Sequence, residues 1–322
     1  MKTNKNFAFM GFGKVVKTEE QQSFKRFSGC APFKVVAVNP TKEELSAIYG
    51  TEITRDQVYL GTTEVDTPQG KKSVKQIRLD FILQTDPEEK ETKDINLTTK
   101  LSLFISQSPK YTRDMAQVEA INDYGDTVYL TPAQLSGQEP IPENKKWFDP
   151  TGMRMALDGE GTLMAFLRAY LSLPMRSWTD KATKEVVVID NPEEAKCGIA
   201  NLKPIFTGNI SAITSAILLA PNNKVRCLLG VKTDNGRQYQ DVFNRKFNKY
   251  SNTRLDGIFD ELNRSRQFGA YPKTDFVCKA GLHEVNIEAT DFSTTSSSSS
   301  VPTSSTELPD FISGGNNDDL PF

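Results

Sequence analysis

Asn235-Gly236 constrains this chain more than any other pair of residues. It separates KVRCLLGVKTD (224–234) from RQYQDVF (237–243), two runs that read as strands. Asn and Gly tolerate positive φ, so the pair suits a type I′ turn, whose twist matches the antiparallel strands it joins. Further strand-length runs lie upstream in FKVVAVN (33–39), QVYLGTTEV (57–65), SVKQIRLDFILQ (73–84) and INLTTKLSLFISQ (95–107), with another hairpin expected around Asn122-Asp123-Tyr124-Gly125.

Helical patterns are fewer. Thr41-Lys42-Glu43-Glu44 has the S/T-x-x-E spacing of a capping box and opens a short helix that runs to Gly50. GTLMAFLRAYLSL (161–173) and GNISAITSAILLA (208–220) place apolar residues on one helical face, the second with Asn209 as its N-cap. A last helix covers Leu255, Ile258, Phe259 and Leu262. Short strands with few helices and no repeated strand–helix–strand unit predict a β-rich α+β fold, an OB-like β-barrel with helical insertions.

The C-terminal part is different in kind. STTSSSSSVPTSS (293–305) contains one Val and otherwise only Ser, Thr and Pro, a composition that cannot offset its ordering entropy by burial. The predicted organisation is a body at 1–290, a disordered Ser-rich linker at 291–313 and an acidic tip at 314–322. From Asp291 onward there are five acids and no Lys or Arg, which leaves the body 39 basic against 36 acidic side chains. An acidic tail on a mildly basic body points to a polyanion competitor or a partner-docking arm.

Several functions are excluded by what is missing. The four cysteines lie far apart without a C-x-x-C pair, and His283 is the one histidine, so neither a zinc site nor a Ser-His or Cys-His mechanism is expected. Gly11-Phe12-Gly13-Lys14 looks glycine-rich, but Ala8 and Val15 stand where a phosphate-binding loop needs Gly and Ser or Thr. Asp158-Gly159-Glu160-Gly161 offers two carboxylates to a nuclease metal or, in the plainer reading, a turn that sets Glu160 at the positive end of a helix. No cofactor and no metal are expected. With no apolar run of membrane-spanning length and no signal-like N-terminus, the expected compartment is the cytoplasm, that of the host if a phage carries the gene.

Three segments mix cations with aromatic rings, the combination that neutralises phosphates and stacks on unpaired bases. The first, VFNRKFNKYSNTRL (242–255), carries Arg245, Lys246, Phe247, Lys249 and Tyr250 without an acid, after Arg237 and Tyr239 in the strand that follows the Asn-Gly turn. The i, i+4, i+7 spacing of Phe243, Phe247 and Tyr250 equally fits a core-facing helical stripe with a solvated basic face. The second comprises Lys71, Lys72, Lys75 and Arg78, starting after the turn at Pro68-Gln69-Gly70. The third comprises Lys25, Arg26, Phe27 and Phe33. Solvated lysines and core aromatics are the alternative reading of each.

The last five residues, Asp318-Asp319-Leu320-Pro321-Phe322, behind a polar linker, resemble the acidic tip of bacterial single-stranded DNA-binding proteins and some phage counterparts. YTRDMAQVEAINDYGDTVYL and AVNPTKEEL are similar to stretches of the phage-type proteins. The resemblance implies a non-enzymatic body that coats single-stranded DNA, and a tip that recruits replication, recombination and repair partners. A strand-annealing recombination protein or a metal-dependent nuclease are the alternatives.

Overall fold

A computed structural model describes residues 25–179, 182–199, 201–271 and 273–285. The linker at 291–313 and the tip at 314–322 lie outside the described residues. The strands are β1 (Arg26–Val38), β2 (Leu60–Thr67), β3 (Gly70–Gln84), β4 (Thr98–Pro109), β5 (Val118–Ile121), β6 (Thr127–Leu130), β7 (Arg154–Met155), β8 (Leu157–Asp158), β9 (Ser177–Thr179), β10 (Val186–Val188), β11 (Val225–Asp234), β12 (Arg237–Val242), β13 (Asn248–Lys249), β14 (Thr274–Phe276) and β15 (Gly281–Val285). The helices are α1 (Lys42–Tyr49), α2 (Pro132–Leu135), α3 (Glu160–Tyr170), α4 (Ser211–Leu218) and α5 (Asp256–Gln267).

The predicted turns and caps form where their chemistry places them. Asn235 and Gly236 have φ of 48° and 73°, and β11 and β12 pair from Leu229↔Val242 to Asp234↔Arg237. Thr41 and Glu44 close the capping box of α1, and Gly50 ends the helix in the left-handed region. Asn209, the predicted N-cap, stands one residue before the observed cap Ile210, but its side chain still accepts from the Ser211 amide at 3.1 Å. The segment 243–255 is not helical. β12 ends at Val242, β13 takes Asn248–Lys249, and α5 begins only at Asp256.

Five long strands carry the architecture, in the spatial order β12-β11-β1-β3-β4, each neighbour antiparallel to the next. The fourth of them in chain order, β11, returns beside the first, which gives the 4-1-2-3 arrangement of a Greek key. β12 and β4 stand at opposite ends of this run, yet their Cα atoms approach within 8 Å, so the sheet curls into a half-barrel. Four successive reversals leave β4 and β12 pointing the same way, with their C-terminal ends at one end of the barrel.

β1 makes the curl possible. It pairs with β11 over 29–33, with β15 over 26–30, and with β3 over 34–38, where the register shifts between Val35 and Ala37. Such a bulge bends a strand and increases its twist. Gly29 has φ of 138°, and a Cβ there would lie 2.0 Å from the Gly281 carbonyl oxygen. Only glycine lets β15 close on β1 at this point.

Both faces of β1 and β11 are covered, which explains their nearly continuous apolar sequences. Phe27, Ala31 and Phe33 join Val225, Cys227 and Leu229 in the main core, while Cys30 and Leu228 face a second cluster containing Phe243, Ile258, Leu262 and Phe276. α3 fills the barrel: the Phe166 ring lies 4.5 Å from that of Phe81 and 5.2 Å from that of Phe247. Each such ring contributes about 1.5–3 kcal/mol through burial. Among the described residues no helix is long and apolar enough to cross a membrane.

Candidate nucleic-acid interface

β2 and β3 form a long hairpin, paired from Leu60↔Ile77 to Thr67↔Gly70. At its turn the Thr67 hydroxyl donates to the Gly70 carbonyl at 2.7 Å and accepts from the Gln69 amide at 3.3 Å. The hairpin tip stands clear of the core, so residues 70–73 are exposed on both faces of the strand. Lys71, Lys72 and Lys75 are exposed there, and none of them forms an ion pair among the described residues. Asp66 faces Lys71 across the hairpin without closing a salt bridge.

The β3–β4 register sets Gln76 opposite Ser106, which brings residues 107–111 alongside the outer half of the hairpin. Between them opens a cleft of about 460 Å³, lined by Gln69, Lys71, Lys72, Val74, Gln107 and Tyr111 among others. A tight turn fixes Tyr111. Its backbone bridges to Val118, the Thr112 amide donates to the Gln117 carbonyl at 2.9 Å, and the Glu119 amide donates to the Lys110 carbonyl at 2.8 Å. Asp114 accepts from the Thr112 hydroxyl at 2.6 Å and from the Ala116 amide at 3.1 Å. These bonds, that of Thr112 above all, hold its carboxyl below the usual range. Tyr111 is half-buried.

On the far side of the β4 end lie Lys110 and the first basic segment. Burial pushes the Glu119 carboxyl up, and Lys110, 3.8 Å away, opposes that shift. The Lys110 ammonium loses hydration, but Glu119, Tyr129 and Asp158 more than compensate and raise its pKa against the repulsion of Arg245. Arg245 is exposed and lies over the Tyr271 ring, 6.0 Å from its centre. Lys246 is exposed, and Lys249 is half-buried, its pKa lowered by burial and by the neighbouring Arg168 charge. Arg245 of the first segment thus comes near Lys110 at the C-terminal end of β4, while Tyr250 of the same segment lies against Glu89 in the loop before β4.

Other residues expected to touch nucleic acid belong to the fold. Phe27, Phe33 and Phe247 are 5%, 0% and 7% exposed and pack in the main core, so none of them can stack on a base. Lys25 pairs with Glu284 at 2.9 Å, and Arg26 donates to the Gln238 carbonyl at 3.2 Å. Tyr250 is exposed, but its hydroxyl donates to Glu89 at 2.8 Å and its ring lies under Lys224 and Arg226 at 5.4 and 5.7 Å. Arg237 is exposed at the Asn-Gly turn, and Tyr239 is half-buried opposite Lys232.

The middle of the β3–β4 face is closed. Arg78 lies 3.2 Å from Asp80, with Tyr59 over its guanidinium at 5.4 Å, so it is a structural residue and not a phosphate ligand. Asp80, 2% exposed, also accepts from Ser102 at 2.7 Å and pairs with Lys100 at 3.5 Å. Burial pushes the Tyr49 and Tyr59 hydroxyls up, and the Asp80 charge adds to both shifts, which places residues 39–59 against this face. Asp80 thus occupies both Arg78 and Lys100, and neither is left free for a phosphodiester.

Glu160 opens α3, fully buried, and both its oxygens are taken by Arg154, with the Leu157 amide also donating at 2.9 Å. That is the turn reading of Asp158-Gly159-Glu160-Gly161. No group of three His, Cys, Asp or Glu residues among the described residues is placed to hold a metal.

Sequence reasoning missed Tyr111 and Lys110. Pro109-Lys110-Tyr111-Thr112-Arg113 sets two cations around a ring, the same signal used for the other segments, but it is short and ends a strand. No protein-family model matches the chain, and neither does a curated protein or a solved structure.

Proposed function

We propose that this protein binds single-stranded DNA without catalysing a reaction on it, and that its acidic tip recruits replication, recombination and repair proteins. The observation that carries the reading is the trio Lys71, Lys72 and Lys75: exposed, outside any ion pair among the described residues, and beside an open cleft. Elsewhere on the barrel most cations of the basic-aromatic segments are already committed to carboxylates, carbonyls or rings. Exposed cations that no acid neutralises are available to phosphates.

The strand order supports an OB-like barrel. In that fold oligonucleotides are bound by the second and third strands and by the loops after the first and fourth. Here the β2–β3 hairpin lies in the first of those connections. The Asn235-Gly236 turn, followed by Arg237, is the second. Asp318, Asp319, Leu320, Pro321 and Phe322 combine steering charge with two apolar side chains and a restricted backbone, a chemistry suited to a small pocket with a basic rim.

A fluorescence titration of the full chain with oligo-dT tests the reading. Binding at low salt is expected, with log affinity falling against log salt by about 0.7 per phosphate contacted. Absence of binding at low salt overturns it.

A further inference from the structure

We infer that the cleft beside the β2–β3 hairpin is a subsite for one unpaired nucleotide, with Tyr111 as its stacking ring, and that the bound strand crosses the end of the barrel instead of the β3–β4 face. The inference rests on the single-stranded DNA reading and places that ligand. Two observations carry it. The central face is sealed, with Asp80 buried beneath Arg78 and Lys100 and with Tyr49 and Tyr59 of the 39–59 segment set against it. A cleft instead opens between the hairpin tip and the end of β4, and at about 460 Å³ it falls in the range of small-ligand sites.

The lining divides by chemistry. Lys71 and Lys72 offer two cations for a phosphodiester, Tyr111 a ring for a base, and Gln69 and Gln107 amides that both donate and accept. Stacking on the Tyr111 ring is open to any base, because every base has a π-face. Stacking on the ring needs a base face that no neighbouring base covers, which selects unpaired strands over duplex. The Thr112–Gln117 turn holds Tyr111 in place before binding, so little ordering entropy is lost there.

The full chain is titrated with fluorescein-labelled oligo-dT as wild type, Tyr111→Phe, Tyr111→Ala and a Lys71→Ala/Lys72→Ala double variant, with inorganic phosphate and duplex as competitors. Tyr111→Ala is expected to weaken binding about tenfold with its salt slope unchanged, and Tyr111→Phe to keep the affinity. The double variant is expected to flatten the log–log salt slope by about 1.4. Neither competitor is expected to displace the oligonucleotide at equal concentration. Tyr111→Ala bound as tightly as wild type, or displacement by phosphate or duplex, overturns the subsite. Photocrosslinking of 5-iododeoxyuridine oligonucleotide to the unmutated protein gives an answer independent of variant folding: adducts at Tyr111 support the path, and adducts at Tyr59, or at Phe104 opposite Arg78 on the β3–β4 face, overturn it. A wild type that binds no oligo-dT overturns the function itself, an outcome distinct from either.

Discussion

The β2–β3 hairpin and the loop at 85–97 are both rich in charge, and they use it in opposite ways. Around the loop three cations from outside it meet its acids: Lys34 and Lys224 hold Asp86 at 2.8 and 3.0 Å, Lys224 also holds Glu89, and Arg226 grips Glu91 through two bonds of 2.6 and 2.8 Å. On the hairpin Lys71, Lys72 and Lys75 stand in solvent with no such partner among the described residues. The first arrangement fastens a loop to β11, and the second leaves charge for an outside polyanion. Cations of one type therefore divide into structural and available sets by what faces them.

Substitutions on the structural side are expected to act on stability alone. Phe33→Ala empties a fully buried position between β1 and β11 and should cost about 3–5 kcal/mol in chemical denaturation. A loss under about 1 kcal/mol, together with weakened DNA binding, would return Phe33 to the list of stacking residues. Arg226→Met strands Glu91 and removes the bond from the guanidinium to the Tyr250 carbonyl, 2.7 Å long. A loss of about 3 kcal/mol is expected, with oligo-dT affinity kept below the melting temperature.

The smallest expected effect is a pH dependence. Hydrogen bonds from Lys34 and then Lys224 hold the Asp86 carboxyl well below its ordinary value, and Lys224 followed by Tyr250 does the same for Glu89. Depressed folded-state values mean that this stabilisation is present above the ordinary carboxylate range, near pH 4, and is lost as pH falls through and below it. The melting temperature should fall on acidification, and by less in Lys224→Met than in wild type. Parallel curves for the two proteins would show that the network is not linked to stability.

The sequence disclosed local structure well because the responsible groups are neighbours in the chain. Asn235-Gly236 and the Thr41–Glu44 capping box act over two to four residues, and both form as read. The candidate site was legible only in part. Lys71, Lys72 and Lys75 could be found from composition, since a solvated hairpin tip needs no distant partner. Phe27 and Phe33 could not be sorted, because β1 is covered on both faces and its alternation of inside and outside is erased. Phe247 was misread as a stacking ring because cations flank it, whereas the bend between β12 and β13 turns the ring into the core. Tyr111 gained its meaning from the β3–β4 register, which sets it beside lysines far away in the chain.

The claim that unpaired cations on the hairpin, and not the barrel's cations at large, meet the DNA is tested most directly by one salt titration. Oligo-dT affinity is measured against salt for the full chain and for a Lys71→Ala/Lys72→Ala/Lys75→Ala variant. The account predicts a log–log slope shallower by about 2 in the variant, and a thermal melt unchanged because these exposed side chains hold nothing in the fold. Identical slopes in the two proteins would contradict it.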